Sequence, residues 1–362
     1  MTTCIANKMF IFIVLVSLLL FQAIIFPQND KEGKIRYLVF AFIEMQFVSG
    51  FRVADDGDTY YYGLMFSDIA SQSLKEVLEY GTEMGYWILN YVLSRFSSNP
   101  QTIIFFTAAI VNFLVLRYIY KKSDSVWLSV IVYITLMYFF SSLNAVRNSL
   151  AYTILLYSND YIVKRKLTKF SLVVLLATSF HFSVLFYFPI YFLYHLKLNP
   201  KNILIISIGV FLLMRAVTPL LTMLTAIHPR WDAYLQDDFY QSAFANILIF
   251  FVQLALFLLA IKRESTSLSK LSGEHKLYMM LMFMSVLMAF CAIDVMMISR
   301  FVTIFSIISI VYIPNLLLNP SKKKLNPGWT SLVLILSLLQ MVIILMYRSE
   351  WYFAGTYKLL FF

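Results

Sequence analysis

Apolar runs separated by short polar breaks cover most of the chain. Stretches near 9–26, 35–51, 101–120, 126–142, 144–163, 202–222, 245–262, 277–293, 297–318 and 329–347 each predict a bilayer-spanning helix. A hydrocarbon core needs about 20 residues of helix, and the backbone inside it must satisfy its own hydrogen bonds. Two stretches do not fit that length. "GYWILNYVLSRFSS" (85–98) is too short, and "KFSLVVLLATSFHFSVLFYFPIYFLYHL" (169–196) is too long for one helix. The opening "MFIFIVLVSLLLFQAIIF" resembles a signal-peptide core, but many apolar segments follow it, so it reads as the first membrane helix and not as a cleaved leader.

The placement of basic residues decides how the two odd stretches thread. Lys31/Lys34/Arg36, Lys121/Lys122, Lys164/Arg165/Lys166, Lys262/Arg263 and Lys322/Lys323/Lys324 are short basic clusters between apolar runs, with Lys197 and Lys201 a weaker group. Such clusters mark the cytoplasmic side. If all lie inside, 85–98 cannot cross and is expected to be interfacial or re-entrant. The 169–196 run must then go out and come back, as two short helices meeting near His181. The expected fold is all-α: a polytopic integral membrane protein with about 12 crossing helices in a single transmembrane domain over 1–362. Both termini and two hydrophilic loops, 52–84 and 223–244, fall outside the cell.

Composition agrees: 60% of residues are hydrophobic and 13% charged, and mean hydropathy is +0.77. A soluble chain of 362 residues could not hide that much apolar surface. The net charge of +10 belongs to the orienting clusters, so no nucleic-acid partner is inferred. Cys4 and Cys291 lie far apart in or beside apolar runs and suggest neither a disulfide nor a metal site. Phosphate-cradling glycine loops, His/Cys metal clusters, G-x-S-x-G and H-E-x-x-H are all missing from the sequence. Nucleotide hydrolysis and zinc chemistry are unsupported, and no cofactor is expected.

Polar residues that are expensive near lipid gather on the outer side. They include Asp55, Asp56, Asp58 and Glu83 in the first loop, Asp232, Asp237 and Asp238 in the second, and Arg52, Arg147, Arg230, Arg300 and His181 nearby. That pattern suggests a site open to the outside. In "RVADDGDTYYY" (52–62), Arg52 could contact a phosphate while a carboxylate accepts a proton or a sugar hydroxyl; an ordinary solvated loop has the same composition. Tyr60, Tyr61 and Tyr62 suit either an interfacial belt or stacking on sugar rings. In "SSLNAVRNSLAYTILLYS" (141–158), Arg147 lies at a helix mouth with Asn144 and Asn148 beside it. Its planar donor fork fits phosphate oxygens, or it snorkels to the interface. Arg300 presents the same choice. His181, between Phe180 and Phe182, is either a hydrogen-bonded core residue or part of a wet cavity at the turn. Glu83 could complement a helix N-terminus or act in catalysis. Glu44 and Arg215 lie deeper and are expected to pair within the bundle. "HPRWDAYLQDD" (228–238) could be a lid or a plain surface loop.

"GFRVADDGDTYYYGLMF", "EYGTEMGYWILNYVL", "LNAVRNSLAYTI", "LATSFHFSVLFYFPIYFL" and "SRFVTIFSIISIVYIP", in that order and spacing, resemble the EpsG family of Wzy-type bacterial surface-polysaccharide polymerases. The resemblance runs from about residue 40 to residue 318. The acidic residues after Arg52 are shifted and doubled relative to the family pattern, leaving Asp55, Asp56 or Asp58 as the equivalent carboxylate. The resemblance implies metal-independent glycosyl transfer at the outer face of the bacterial cytoplasmic membrane, building capsule, O-antigen or exopolysaccharide. Its donor and acceptor would be oligosaccharides linked to undecaprenyl diphosphate, with membrane lipid around them and a chain-length regulator as a possible partner. On that reading Arg147 and Arg300, then Arg52, neutralise the departing diphosphate. Asn144 and Tyr60 help hold substrate. His181 is the general base, with Asp56 or Glu83 as substitute. A flippase for the same lipid-linked glycans is the main rival, and a membrane acyltransferase built on His181 a distant third.

Overall fold

The computed structural model describes residues 2–27, 30–53, 57–216, 219, 239–295, 298–319, 324–347 and 358–360. Asp55, Asp56, Arg230, Asp232, Asp237, Asp238, Lys322 and Lys323 lie outside the described residues, as does the stretch 228–238. The fold is all-α. In chain order the helices are α1 Thr2–Ile25, α2 Lys31–Gly50, α3 Gly57–Ala70, α4 Leu74–Leu78, α5 Met84–Ser94 and α6 Gln101–Lys122. There follow α7 Val126–Thr135, α8 Tyr138–Asn144, α9 Val146–Leu155, α10 Asn159–Val163, α11 Leu167–Thr178 and α12 Ile190–Leu193. The series ends with α13 Pro200–Arg215, α14 Phe239–Arg263, α15 Gly273–Cys291, α16 Ser299–Ser306, α17 Ser309–Leu317 and α18 Pro327–Tyr347.

Among the described residues four helices, α6, α14, α15 and α18, are long and apolar enough to cross a membrane, or six spans if each of two bent pairs counts as one. The runs 126–142 and 297–318, which read as single spans, are those pairs. Helices α7 and α8 meet at 53°, and α16 and α17 at 45°. Met137, between α7 and α8, sits at φ 72°, in the left-handed region that side chains disfavour. A broken helix is tolerated at membrane depth where protein or a wet cavity takes up the freed backbone groups. Both breaks border the same cavity, described below. Helix α7 is buried along nearly its whole length, from Leu128 to Thr135, and forms the centre of the bundle.

The long run 169–196 folds back on itself. Helix α11 ends at Thr178, and a 3-10 turn, Phe182–Tyr187, starts beyond His181. Phe170, in the first turn of α11, lies 5.6 Å from the ring of Phe188 and 5.2 Å from that of Tyr191. His181 is therefore the tip of a hairpin. Helix α5 is an 11-residue segment packed beside it.

Several polar side chains inside the bundle are paired, which offsets the cost of burying them. Asn112 donates to Gln46 at 3.1 Å and to Ser49 at 2.9 Å, joining α6 to α2. Glu44 accepts from Gln22. Arg215 meets Asp294 at 2.9 Å, but both side chains are more than half exposed, so this pair lies on the outside of the bundle and not within it as expected. At one end of the bundle Lys122 bridges Asp160 and Glu274, each at 2.6 Å, while Lys34 reaches the Asp124 carbonyl and Lys262 covers Trp329. Arg263 donates to the Leu316 carbonyl, next to the Asn315 that meets the Lys122 carbonyl, so the described residues Lys34, Lys122 and Arg263 share one end. Arg147 and Asp160, on consecutive segments of one rod, are separated by roughly 20 Å at 1.5 Å per residue, which puts Arg147 at the opposite end.

Candidate active site

Glu83, Arg147 and His181 come from three separate elements and meet at that opposite end. Glu83 immediately precedes α5 at φ 55°, a conformation held only where surroundings over-determine it. Its side chain does not cap its own helix. Instead Oε2 accepts from Arg147 Nη1 at 2.5 Å, and Oε1 lies 2.6 Å from His181 Nδ1. Oε1 also accepts from the Phe182 backbone N–H at 3.1 Å. An ionised carboxylate can only accept, so the Nδ1 of His181 carries its proton, and in the neutral ring Nε2 is left as the acceptor. Burial pushes the Glu83 carboxyl up. The His181 hydrogen bond, the Arg147 charge, the His181 charge and the Phe182 N–H together outweigh it and hold the group below the usual carboxylate value.

Local sequence explains why these groups meet. Gly85 lets α5 approach the hairpin tip: a Cβ there would sit 2.3 Å from Ser179 Oγ and 3.0 Å from the Ser179 carbonyl oxygen. The Tyr86 N–H then donates to that carbonyl at 3.3 Å. Trp87 Nε1 donates back to Thr82 at 2.8 Å, closing the turn that carries Glu83. The Arg147 guanidinium lies over the rings of Tyr62 and Tyr86, at 5.4 and 5.8 Å, where the negative ring faces favour a cation. Arg147 is held by this pair and these rings. Its side chain is 26% exposed and that of Glu83 12%, so bulk ions screen the pair little.

A polar cavity of about 250 Å³ reaches the cluster through Ala145 and Asn148, close to Arg147 in the chain, while Glu83, Arg147 and His181 do not themselves line it. Both helix breaks contribute to its wall: Leu136, Met137 and Tyr138 from one, Val302, Thr303 and Ser306 from the other. Asp58 and Arg300, both exposed, line it at its mouth, and Asn144 and Asn148 line it from the α8–α9 junction. Deeper in, Asn246, Gln253 and Gln340 reach it from α14 and α18, each at most 3% exposed. The Oε1 atom of Gln340 is buried with no hydrogen-bond partner. Ser183 Oγ approaches Asn148 Oδ1 at 3.5 Å, joining the hairpin to the cavity wall.

The remaining sequence candidates fall elsewhere. Arg52 is 1% exposed and does not line the cavity. Its guanidinium donates to the carbonyls of Leu143, at 2.8 Å, and Ser49, while Thr59 Oγ1 donates to Leu143 at 3.1 Å. Arg52 thereby ties the end of α2, the start of α3 and the end of α8 together. Tyr60 is exposed, packs edge-on against Tyr61, and does not line the cavity either. Asp56 is outside the described residues. Tyr86, Asn246, Gln253 and Gln340 were not among the sequence candidates for the site. The last three are lone amides in apolar helices, a signal that points to function because each is costly unless paired or used.

Geometrically, the site offers a carboxylate-oriented imidazole, a tyrosine-flanked guanidinium and an amide-lined cavity with a second arginine at its mouth. Among the described residues no group of three or more His, Cys, Asp and Glu side chains is arranged to hold a metal ion. The model of one family, described as the EpsG family, matches residues 35–359. No curated protein and no solved structure matches the chain.

Proposed function

The chain belongs to the EpsG family of Wzy-type polysaccharide polymerases, and from that premise we propose that it joins undecaprenyl-diphosphate-linked repeat units by glycosyl transfer. The reaction takes place at the outer face of a bacterial cytoplasmic membrane that the chain crosses about 12 times, oriented by its basic clusters. A hydroxyl on the incoming repeat unit attacks the anomeric carbon of the growing glycan. The bond from that carbon to the diphosphate oxygen breaks, the polyprenyl diphosphate leaves with the bonding electrons, and the hydroxyl proton passes to a base.

The observation that carries this reading is the Glu83–His181 contact of 2.6 Å beside an arginine-bearing polar cavity. His181 takes the proton through Nε2, and Glu83 orients the ring and stabilises its cation. Glu83 is a positioning residue, because its carboxylate is held low and is a poor base. Arg147 is balanced by Glu83 and fixes that carboxylate. Arg300, lining the cavity mouth, meets the diphosphate, where a fixed cation stabilises charge that grows as the bond breaks. Arg52 acts indirectly, through the α8 terminus it holds. Asn144 and the buried amides hold sugar hydroxyls. No divalent metal takes part.

Reconstitution of the purified protein in liposomes with its lipid-linked repeat unit tests the proposal. A ladder of longer glycans formed without nucleotide is the expected product. Transfer of unaltered single repeats across the bilayer would instead identify a flippase.

A further inference from the structure

Helix α16 is a partition. Ser299, Arg300, Thr303 and Ser306 face the polar cavity, while Phe301 and Phe305, one turn apart, face an apolar groove of about 320 Å³ on the other side. The His181 hairpin forms a second wall through Phe186, Ile190 and Leu193; the Phe186 and Phe301 rings meet at 4.5 Å. Helix α15 adds Met284 and Met288, side chains that adapt to irregular hydrocarbon. The third wall is α13, from Ile205 to Leu213, roughly 12 Å at 1.5 Å per residue.

Gly209 in that wall has no local justification. It lies inside a helix, where glycine is unfavourable relative to alanine, and nothing lies within 4 Å of where its Cβ would be. No neighbour demands the missing side chain. What glycine preserves is the open groove.

We infer that this groove holds the first isoprene units of the substrate's polyprenyl chain, with the diphosphate turning over the α16 N-terminus at Arg300 and the glycan entering the cavity behind it. The inference rests on the polymerase reading above. Continuity selects the occupant: Arg300 and Phe301 are adjacent residues on opposite sides of one helix, so a ligand whose charged group lies at Arg300 and whose glycan fills the cavity leads its hydrocarbon into the groove. An ordinary phospholipid in the groove would bring its headgroup to the same arginine and compete with substrate.

The test is Gly209→Trp, which fills the groove without meeting a neighbouring atom at the Cβ position. Steady-state polymerisation in nanodiscs is measured with the repeat unit on undecaprenyl and on geranyl diphosphate. The variant is expected to raise KM for the undecaprenyl substrate at least tenfold with kcat nearly kept, and to narrow the preference for the longer chain. Leu212→Trp, on the same helix but off the groove wall, controls for bulk and is expected to match wild type. An unchanged KM in a folded Gly209→Trp protein overturns the inference while leaving the polymerase reading intact; absence of polymer from wild type with either substrate overturns that reading itself. A photocrosslinking amino acid at position 209, activated in native membranes, gives an independent answer if Gly209→Trp does not fold. Capture of a prenyl diphosphate species supports the assignment, and capture of phospholipid alone overturns it.

Discussion

Replacing Glu83 by glutamine removes one charge while keeping the shape of the side chain. Arg147 would then be left between Tyr62 and Tyr86 with its ion-pair partner gone, while the amide oxygen could still accept from His181 Nδ1 and the Phe182 N–H. What His181 loses is the negative charge that stabilises its protonated form. Breaking a buried ion pair from one side costs about 3–5 kcal/mol. The side chains here retain 12% and 26% exposure, so a loss of roughly 2–3 kcal/mol is expected. Catalysis should suffer separately: a general base is worth about 10² to 10⁴ in rate, and an imidazole whose protonated form has lost its carboxylate partner forfeits most of it. The second substitution separates the two effects. Adding Arg147→Met removes the stranded guanidinium, so Glu83→Gln/Arg147→Met should be more stable than Glu83→Gln alone yet equally inactive. Thermal unfolding in detergent measures the first quantity, and the rate of glycan ladder formation in liposomes the second. Wild-type polymerisation by Glu83→Gln, or recovery of activity in the double variant, would refute the reasoning.

The Glu83 carboxyl is held below its ordinary value. The stability it contributes should be complete above the unfolded carboxylate value of about 4.3 and be lost as pH falls through the lower folded value. The difference in melting temperature between wild type and Glu83→Gln should therefore be flat near neutrality and close in acid. Gly85→Val should separate α5 from Ser179, given the 2.3 Å approach at the Cβ position; lipid-linked single repeats should accumulate in cells carrying it while the protein remains in the membrane. Polymerisation by purified wild type should be unchanged by excess EDTA, which a rate assay with and without chelator checks.

Much of the site was legible because membrane burial makes charge conspicuous. His181 interrupts an apolar run, Arg147 and Glu83 stand at the mouths of apolar segments, and the turn at His181 followed from a run too long for one helix between two basic ends. What no single sequence displays is pairing. Glu83 offered helix capping or catalysis, and its bond to the Phe182 N–H serves the start of a different helix. Arg52 carried the same donor fork as Arg147, but its carbonyl partners Ser49 and Leu143 are backbone atoms, which composition never reveals. The helix breaks at Met137 and at Ile307–Ile308 carry no glycine or proline, so 126–142 and 297–318 read as continuous. Gln340 reaches a cavity whose mouth is set by Asp58 and Arg300; proximity across that much chain is a property of the bundle and not of any local pattern.

The most direct test of the central claim compares purified wild type with His181→Gln in liposomes loaded with lipid-linked repeat units, with products resolved by length. Wild type should give a ladder, and the variant, folded and still binding substrate, should leave single repeats unextended. A ladder of wild-type length and rate from His181→Gln would contradict the account.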